Sequence, residues 1–282
     1  MRKLSNRIPV ILVALALAVL YWLVYMLLCK LEKTAQATRE VFSDKNTKRD
    51  ILGKIRTANG STISMIEKTN WTVGDMSGLN KQIEMIFDEI ARSNFWGGAN
   101  ETISGRGSTT YSTLALRNCL GDWIIKYNIK TIVDVPCGDA NWQYAIPGIE
   151  KVTYTGYDVS QHAIDRAKKK NKGWKFGVLD LTMSIPPKAD LIMLRDFLQH
   201  LPLKNGNQAL SNVFKSKSTW LGISTYPTIS VNIDIKIGAY FRNNVLKRPF
   251  YLPKPTETCD NYYGKEAQSH QGSKFYLIKL IY

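Results

Sequence analysis

"TIVDVPCGDANW", residues 131–142, opens as a β-branched run and breaks off at Pro136-Cys137-Gly138-Asp139. Thr, Ile and Val favour a pleated strand, whereas Pro and Gly end one. In an open parallel sheet, ligands settle beyond the carboxyl ends of the strands, where a strand-to-helix turn presents backbone amides. The run therefore reads as the first strand, and Val135–Asn141 as a binding turn. Gly138 permits positive φ or close backbone approach, and Ala140 is small enough for a ligand to lie over the start of a following helix.

Working outward, strands are expected at 131–135, 152–157, 174–179, 190–194, 220–225 and 274–281, with helical stretches between the earlier ones. Such alternation implies right-handed crossovers, a mostly parallel sheet and helices on both faces, with the last strand closing an edge. Upstream, Ile83, Ile86, Phe87 and Ile90 recur at three- and four-residue spacing, marking an amphipathic helix that breaks at Gly97-Gly98. A second helix is expected over 111–127.

Acids recur at the strand ends. Asp158 follows Asp134 at the end of the second strand, where a carboxylate accepts from both hydroxyls of a ribose. Asp180, with Leu181 beside it, ends the third strand and is placed to meet an adenine amino group. Trp142 and Tyr157 are candidates to flank a nucleoside, although aromatic residues beside strands are more often core.

At the front, Ile8–Leu28 carries no charge and is long enough to cross a ~30 Å hydrocarbon core as a helix. Tyr21, Trp22 and Tyr25 suit the interface, and Arg2, Lys3 and Arg7 before it favour a cytosolic N-terminus. The rival reading is a cleaved signal peptide ending near Ala35-Gln36-Ala37, but the apolar run exceeds the usual h-region. The expected organisation is a tail (1–7), a signal anchor (8–28), a stem (29–78) and one catalytic-size domain (79–282). That domain would face the secretory lumen, where Asn59, Asn70 and Asn100 stand in acceptor triplets for N-glycans. Cys29 abuts the membrane; Cys119, Cys137 and Cys259 allow one bridge, with Cys137 a small residue filling the turn.

The chain has 282 residues, 44% of them hydrophobic, with Lys+Arg 38 against Asp+Glu 23 for a net charge of +15. That balance favours anionic surfaces without choosing nucleic acid, phospholipid or charged glycan. An anchor that exports the domain argues against nucleic acid. His162 and His270 lack ligating neighbours at metal spacing, so no metal is indicated.

"VDVPCGDANW", with "YTGYDVS", "GVLDLT" and "DLIMLRDFLQHLP", resembles the binding core of class I S-adenosylmethionine-dependent methyltransferases, from about Leu79 onward. Those enzymes carry acid-x-Gly-x-Gly-x-Gly after the first strand. Pro136 and Ala140 replace the first and third glycines here, and Gly138 is kept. The resemblance implies a Rossmann-like fold and S-adenosyl-L-methionine as cofactor. Its site would comprise Asp134, Pro136, Gly138, Asp139, Ala140, Trp142, Asp158, Asp180, Leu181 and Arg195, with the loop Ser104-Gly105-Arg106-Gly107-Ser108 closing over it. "FWGGANETISGRGSTTYST" and "STYPTISVNIDIKIGAYFRNNVLKRPFYLPKP" are similar to nematode Golgi-type sugar O-methyltransferases, including one acting on the fucose 2-hydroxyl. A single-pass Golgi membrane enzyme with a lumenal domain and a glycan acceptor follows from that similarity. The alternatives are a lipid, protein or RNA acceptor, or a noncatalytic membrane-anchored protein.

A sugar hydroxyl needs a base. His200 is the first candidate, against a plain hydrogen-bonded helix histidine; Asp196 is the second, against a helix cap. Arg195 either holds a carboxylate, orients Asp196 or forms a structural ion pair. Tyr226, Asn232 and Asp234 follow the fifth strand; the last two alternate, so an extended segment turns both toward an acceptor.

Overall fold

The structure, a computed structural model, describes residues 76–97 and 100–282. The anchor at 8–28, the stem to residue 75, Cys29, Asn59 and Asn70 lie outside the described residues. Among the described residues no helix is long and apolar enough to cross a membrane.

Seven strands form one sheet in the order β3-β2-β1-β4-β5-β7-β6. β1 (Thr131–Asp134), β2 (Thr153–Asp158), β3 (Lys175–Val178), β4 (Leu191–Leu194) and β5 (Trp220–Thr225) run parallel. β7 (Lys274–Lys279) is antiparallel to β5, and β6 (Glu257–Asp260) pairs antiparallel with β7. The last strand therefore does not close the edge: it lies inside, and β6, a short half-exposed segment, takes the edge position.

The core explains the order. β4, "LIML", is buried along its whole length, as a strand covered on both faces must be. Ile192 and Leu194 pack on one side with Val133, Leu221 and Ile278 against helix α4 (Leu203–Lys215), through Ala209, Leu210 and Val213. Leu191 and Met193 pack on the other with Ile132 and Phe275 against helix α2 (Leu114–Lys126), through Leu116, Leu120 and Trp123. A disulfide between Cys119 and Cys259 ties α2 to β6, and Cys137 is free and buried, as the turn reading expects.

Helix α1 (Met76–Arg92) precedes this body, and α3 (Gln161–Lys170) follows β2. Asp88 of α1 accepts from the Ser160 hydroxyl (2.7 Å) and the His162 amide (2.9 Å), while Ser160 caps α3 by accepting from the Ala163 amide (3.2 Å). The start of α3 is thereby stitched to α1. No helix follows β1, contrary to expectation: only two 3-10 turns, Gln143–Ala145 and Ile149–Lys151, bridge β1 to β2. The chain beyond Asp134 is spent on a turn with Gly138 at φ +58 and Ala140 at φ +47, conformations no helix continues.

Candidate active site

Strand order reverses between β1 and β4, and there a cavity of about 400 Å³ opens beyond their carboxyl ends. Asp134, the last residue of β1, is buried; its Oδ2 accepts from Gln143 Nε2 (2.7 Å) and the Tyr154 hydroxyl (2.6 Å), and its Oδ1 has no partner among the described residues. Burial pushes its carboxyl up to about 7, more than those two donors and the Arg195 charge pull it down. Asp158, the last residue of β2, accepts from the Gly138 amide (2.9 Å) and the Ser160 amide (2.9 Å). Burial raises it to about 6. Asp180, two residues beyond β3, binds the Thr182 amide and hydroxyl through Oδ1 (2.8 and 2.7 Å) and leaves Oδ2 buried without a partner among the described residues.

All three acids line the one cavity, with Pro136, Gly138, Trp142 and Leu181. Ser104, Gly105 and Gly107 line it from the opposite loop, so strand ends and loop converge. Gly138 is required twice over: its φ is positive, and a Cβ there would lie 2.1 Å from the Ser104 hydroxyl oxygen. The close approach is thus to the chain's own loop.

Asp139 and Ala140 do not reach the cavity. Asp139 is fully buried and accepts from Thr102 Oγ1 (2.5 Å), Ser104 Oγ (3.0 Å) and Lys170 Nζ (2.7 Å). It latches the 102–104 loop onto the turn. Ala140 is fully buried, and its carbonyl accepts from Asn171.

Beyond β4, Arg195 is also an internal brace. Its guanidinium donates to the Gly107 carbonyl (2.9 Å) and to Asn261 Oδ1 (3.1 Å), and pairs with Asp196 (3.1 Å). Asp196, at φ +51, accepts from Asn261 Nδ2 (2.8 Å) and the Tyr262 hydroxyl (2.7 Å). Burial pushes its carboxyl up, but Arg195, Tyr262 and Asn261 together hold it below the usual range. An anion so well satisfied is a weak base, and Asp196 caps no helix.

His200 closes the 3-10 turn Leu198–His200. Its Nδ1 lies 3.0 Å from the Ala239 carbonyl, which can only accept, so the proton sits on Nδ1 and the Nε2 lone pair is left available. Burial lowers its pKa, favouring the neutral ring.

The residues expected to hold an acceptor are elsewhere. Asn232 is buried, donating to the carbonyls of Asn244 (2.9 Å) and Arg248 (2.6 Å). Asp234 accepts from the Leu203 amide (2.7 Å) at the start of α4. Tyr226 lies behind the wall, with its hydroxyl 2.9 Å from that of Tyr240 and 3.0 Å from His270 Nδ1. In their place Gln199, Tyr240, Tyr262, Glu266 and His270 line the cavity. None carries a spacing that announces it; the one sequence signal is the density of aromatic and polar residues in "DNYYGKEAQSH", residues 260–270, between β6 and β7.

The donor set suits an adenosyl ligand. Two buried carboxylate oxygens lack donors, and adenine amino, ribose hydroxyl and ammonium groups are donors.

The chain is similar to magnesium protoporphyrin IX methyltransferase (ChlM) from Synechocystis PCC 6803 with bound SAM, at TM-score 0.51 and 14% identity, covering 76% of this chain and 100% of that chain. Shorter matches include the mitomycin 7-O-methyltransferase MmcR (TM-score 0.43, 12% identity, 55% of this chain, 50% of that one). Another is a TehB-like SAM-dependent methyltransferase from Corynebacterium glutamicum (TM-score 0.33, 21% identity, 39% and 64%). No family model and no curated protein matches. The protein thus has the Rossmann-like methyltransferase fold.

Proposed function

We propose that this protein is an S-adenosylmethionine-dependent O-methyltransferase whose acceptor is a sugar hydroxyl of a glycan, the fucose 2-hydroxyl being the instance its sequence resemblance favours. The observation that carries the reading is the convergence of Asp134 and Asp158, the last residues of β1 and β2, and Asp180, two residues beyond β3, on one cavity with two carboxylate oxygens unpartnered among the described residues. Asp158 would hold the ribose hydroxyls, Asp180 Oδ2 the adenine amino group, and the 104–108 loop the methionine end. When bound, the cofactor supplies an electrophilic methyl carbon on a sulfonium.

The protein's own part is alignment and proton removal. His200 Nε2 would take the acceptor's hydroxyl proton, with Nδ1–H anchored on the Ala239 carbonyl, as that oxygen displaces a neutral thioether from the methyl carbon. Asp196 and Arg195 are positioning residues: they hold the Gly107 loop and Tyr262 in place. The Cys119–Cys259 bridge suits an oxidising compartment, which supports a lumenal domain behind a Golgi membrane anchor.

Calorimetric titration of the full chain with S-adenosylhomocysteine tests the assignment. Binding in the micromolar range is expected, and Asp158→Ala should weaken it at least about tenfold, since it removes the ribose acceptor and the support of the Gly138 amide. No binding at millimolar ligand would leave a noncatalytic membrane protein as the better reading.

A further inference from the structure

Six rings follow one another along one side of the cavity: Phe87, Trp96, His200, Tyr240, His270 and Tyr262. Successive centroids lie 6.1, 4.7, 5.6, 6.2 and 4.4 Å apart. They come from α1, the loop after it, the turn after β4, the segment after β5 and the connection between β6 and β7. Five separate parts of the chain therefore build one run of rings in the cavity lining. The Gly238 amide donates to the His200 carbonyl (2.9 Å) and the Phe241 amide to the Gln199 carbonyl (2.9 Å), which pins the Tyr240 segment against the His200 turn.

We propose that this arc is the acceptor subsite and that its ligand is an uncharged pyranose, stacked by its C–H face on the rings and turned by the Tyr240 hydroxyl; the inference rests on the methyltransferase reading above. The shape argues for it. From Trp96 to His270 the neighbouring planes are tilted by 31°, 48° and 77°, and the near-parallel Tyr262–His270 pair is already in contact at 4.4 Å, so the rings offer no slot between parallel faces for a flat aromatic acceptor. A puckered ring, apolar on its faces and polar around its rim, matches an uneven apolar surface with polar tips.

Those tips are present. Tyr240 is 44% exposed, and its hydroxyl is fixed at 2.9 Å from that of Tyr226 and 3.4 Å from His270 Nδ1. Glu266, 3.6 Å from His270 Nε2, adds an acceptor on the same side. Charge argues against a cationic ligand. The Arg195 guanidinium already lies 5.0 Å from the Tyr262 ring centre, so that ring of the arc serves a cation of the protein itself.

The test is saturation-transfer NMR on the full chain with three probes: methyl α-fucopyranoside, catechol and tetramethylammonium. The measurements are made with and without S-adenosylhomocysteine. The pyranoside is expected to bind in preference to the other two. Trp96→Ala should weaken it about tenfold through lost stacking. Tyr240→Phe, which keeps the ring, should weaken it about fivefold through the lost hydroxyl. Affinity for S-adenosylhomocysteine should stay within about twofold in both variants. Preference for catechol or tetramethylammonium, or unchanged pyranoside affinity in both variants, would overturn the proposal. If the unaltered protein fails to bind S-adenosylhomocysteine, the methyltransferase reading falls, and pyranoside binding in its absence still decides the subsite.

Discussion

Two residues after β4 were equal candidates for the base, and their surroundings separate them. Asp196 receives two hydrogen-bond donors and a guanidinium; His200 is bonded through one nitrogen, and its other has no partner among the described residues. His200→Ala should therefore lower kcat by about 10²–10⁴-fold while S-adenosylhomocysteine affinity holds, and full turnover by that variant would remove His200 as the base. Asp134 carries a pH signature. A carboxyl raised to about 7 in the fold binds its proton more tightly folded than unfolded. Its stabilising effect is thus full below about pH 4 and is lost as pH rises to about 7. Asp158, raised to about 6, acts with the same sign. Asp134→Asn cannot ionise, so urea unfolding should find it close to the unaltered protein at pH 4 and more stable at pH 7, by at most about 4 kcal/mol. Carboxyls held low, Asp88, Glu101 and Asp196, act below about pH 4 in both proteins and cancel in the difference. Equal slopes for the two proteins between pH 4 and 7 would show Asp134 to be ionised throughout.

At the scale of elements, the Cys119–Cys259 bridge spans 140 residues and joins α2 to the edge strand. Closing so long a loop in the unfolded chain favours the fold by about 3 kcal/mol, with on the order of 5 as the limit. Replacing both cysteines by alanine should lower Tm by roughly 6–12 °C; an unchanged Tm would mean that the bridge does not form. The central strands were legible because burial on both faces leaves a composition mark: "TIVD", "LIML" and "WLGIST" have few polar interruptions. β6, "ETCD", buries only Cys259 and so left no such mark. The place of β7 was hidden for another reason, since chain order does not fix sheet order and "KFYLIK" reads alike at an edge or inside. The expected helix after β1 failed on backbone conformation, at Gly138 and Ala140. The strand-end acids were legible because a sheet carries its site at the carboxyl ends. The acceptor side was not: Asn232 and Asp234 were read as alternating in an extended segment, but that segment folds back on itself, and Asn232 is taken up by the carbonyls of Asn244 and Arg248. Side chains spent on local backbone bonds look in sequence like side chains offered to a ligand.

For the whole molecule, the question is which side of a membrane the site faces. If the apolar run at 8–28 is the proposed anchor, Arg2, Lys3 and Arg7 before it would, by the positive-inside rule, put the sheet in the lumen. A structural disulfide and a buried free thiol agree with that side, since Cys137 is shielded where Cys119 and Cys259 are paired. Asn100 gives the sharpest readout: it is exposed, in a turn beside the 102–104 loop that Asp139 latches to the site. In animal cells, the full chain is expected to lose mass on treatment with an N-glycan-cleaving enzyme, and Asn100→Gln should lose one step of that shift. A mass unchanged by the enzyme, with all three acceptor triplets intact, would turn the site toward the cytosol and take the glycan acceptor with it. The same protein would then separate site from setting: S-adenosylhomocysteine at about 100 times its Kd should still stabilise the fold by about 2.7 kcal/mol, because that linkage depends on the cavity and not on the compartment.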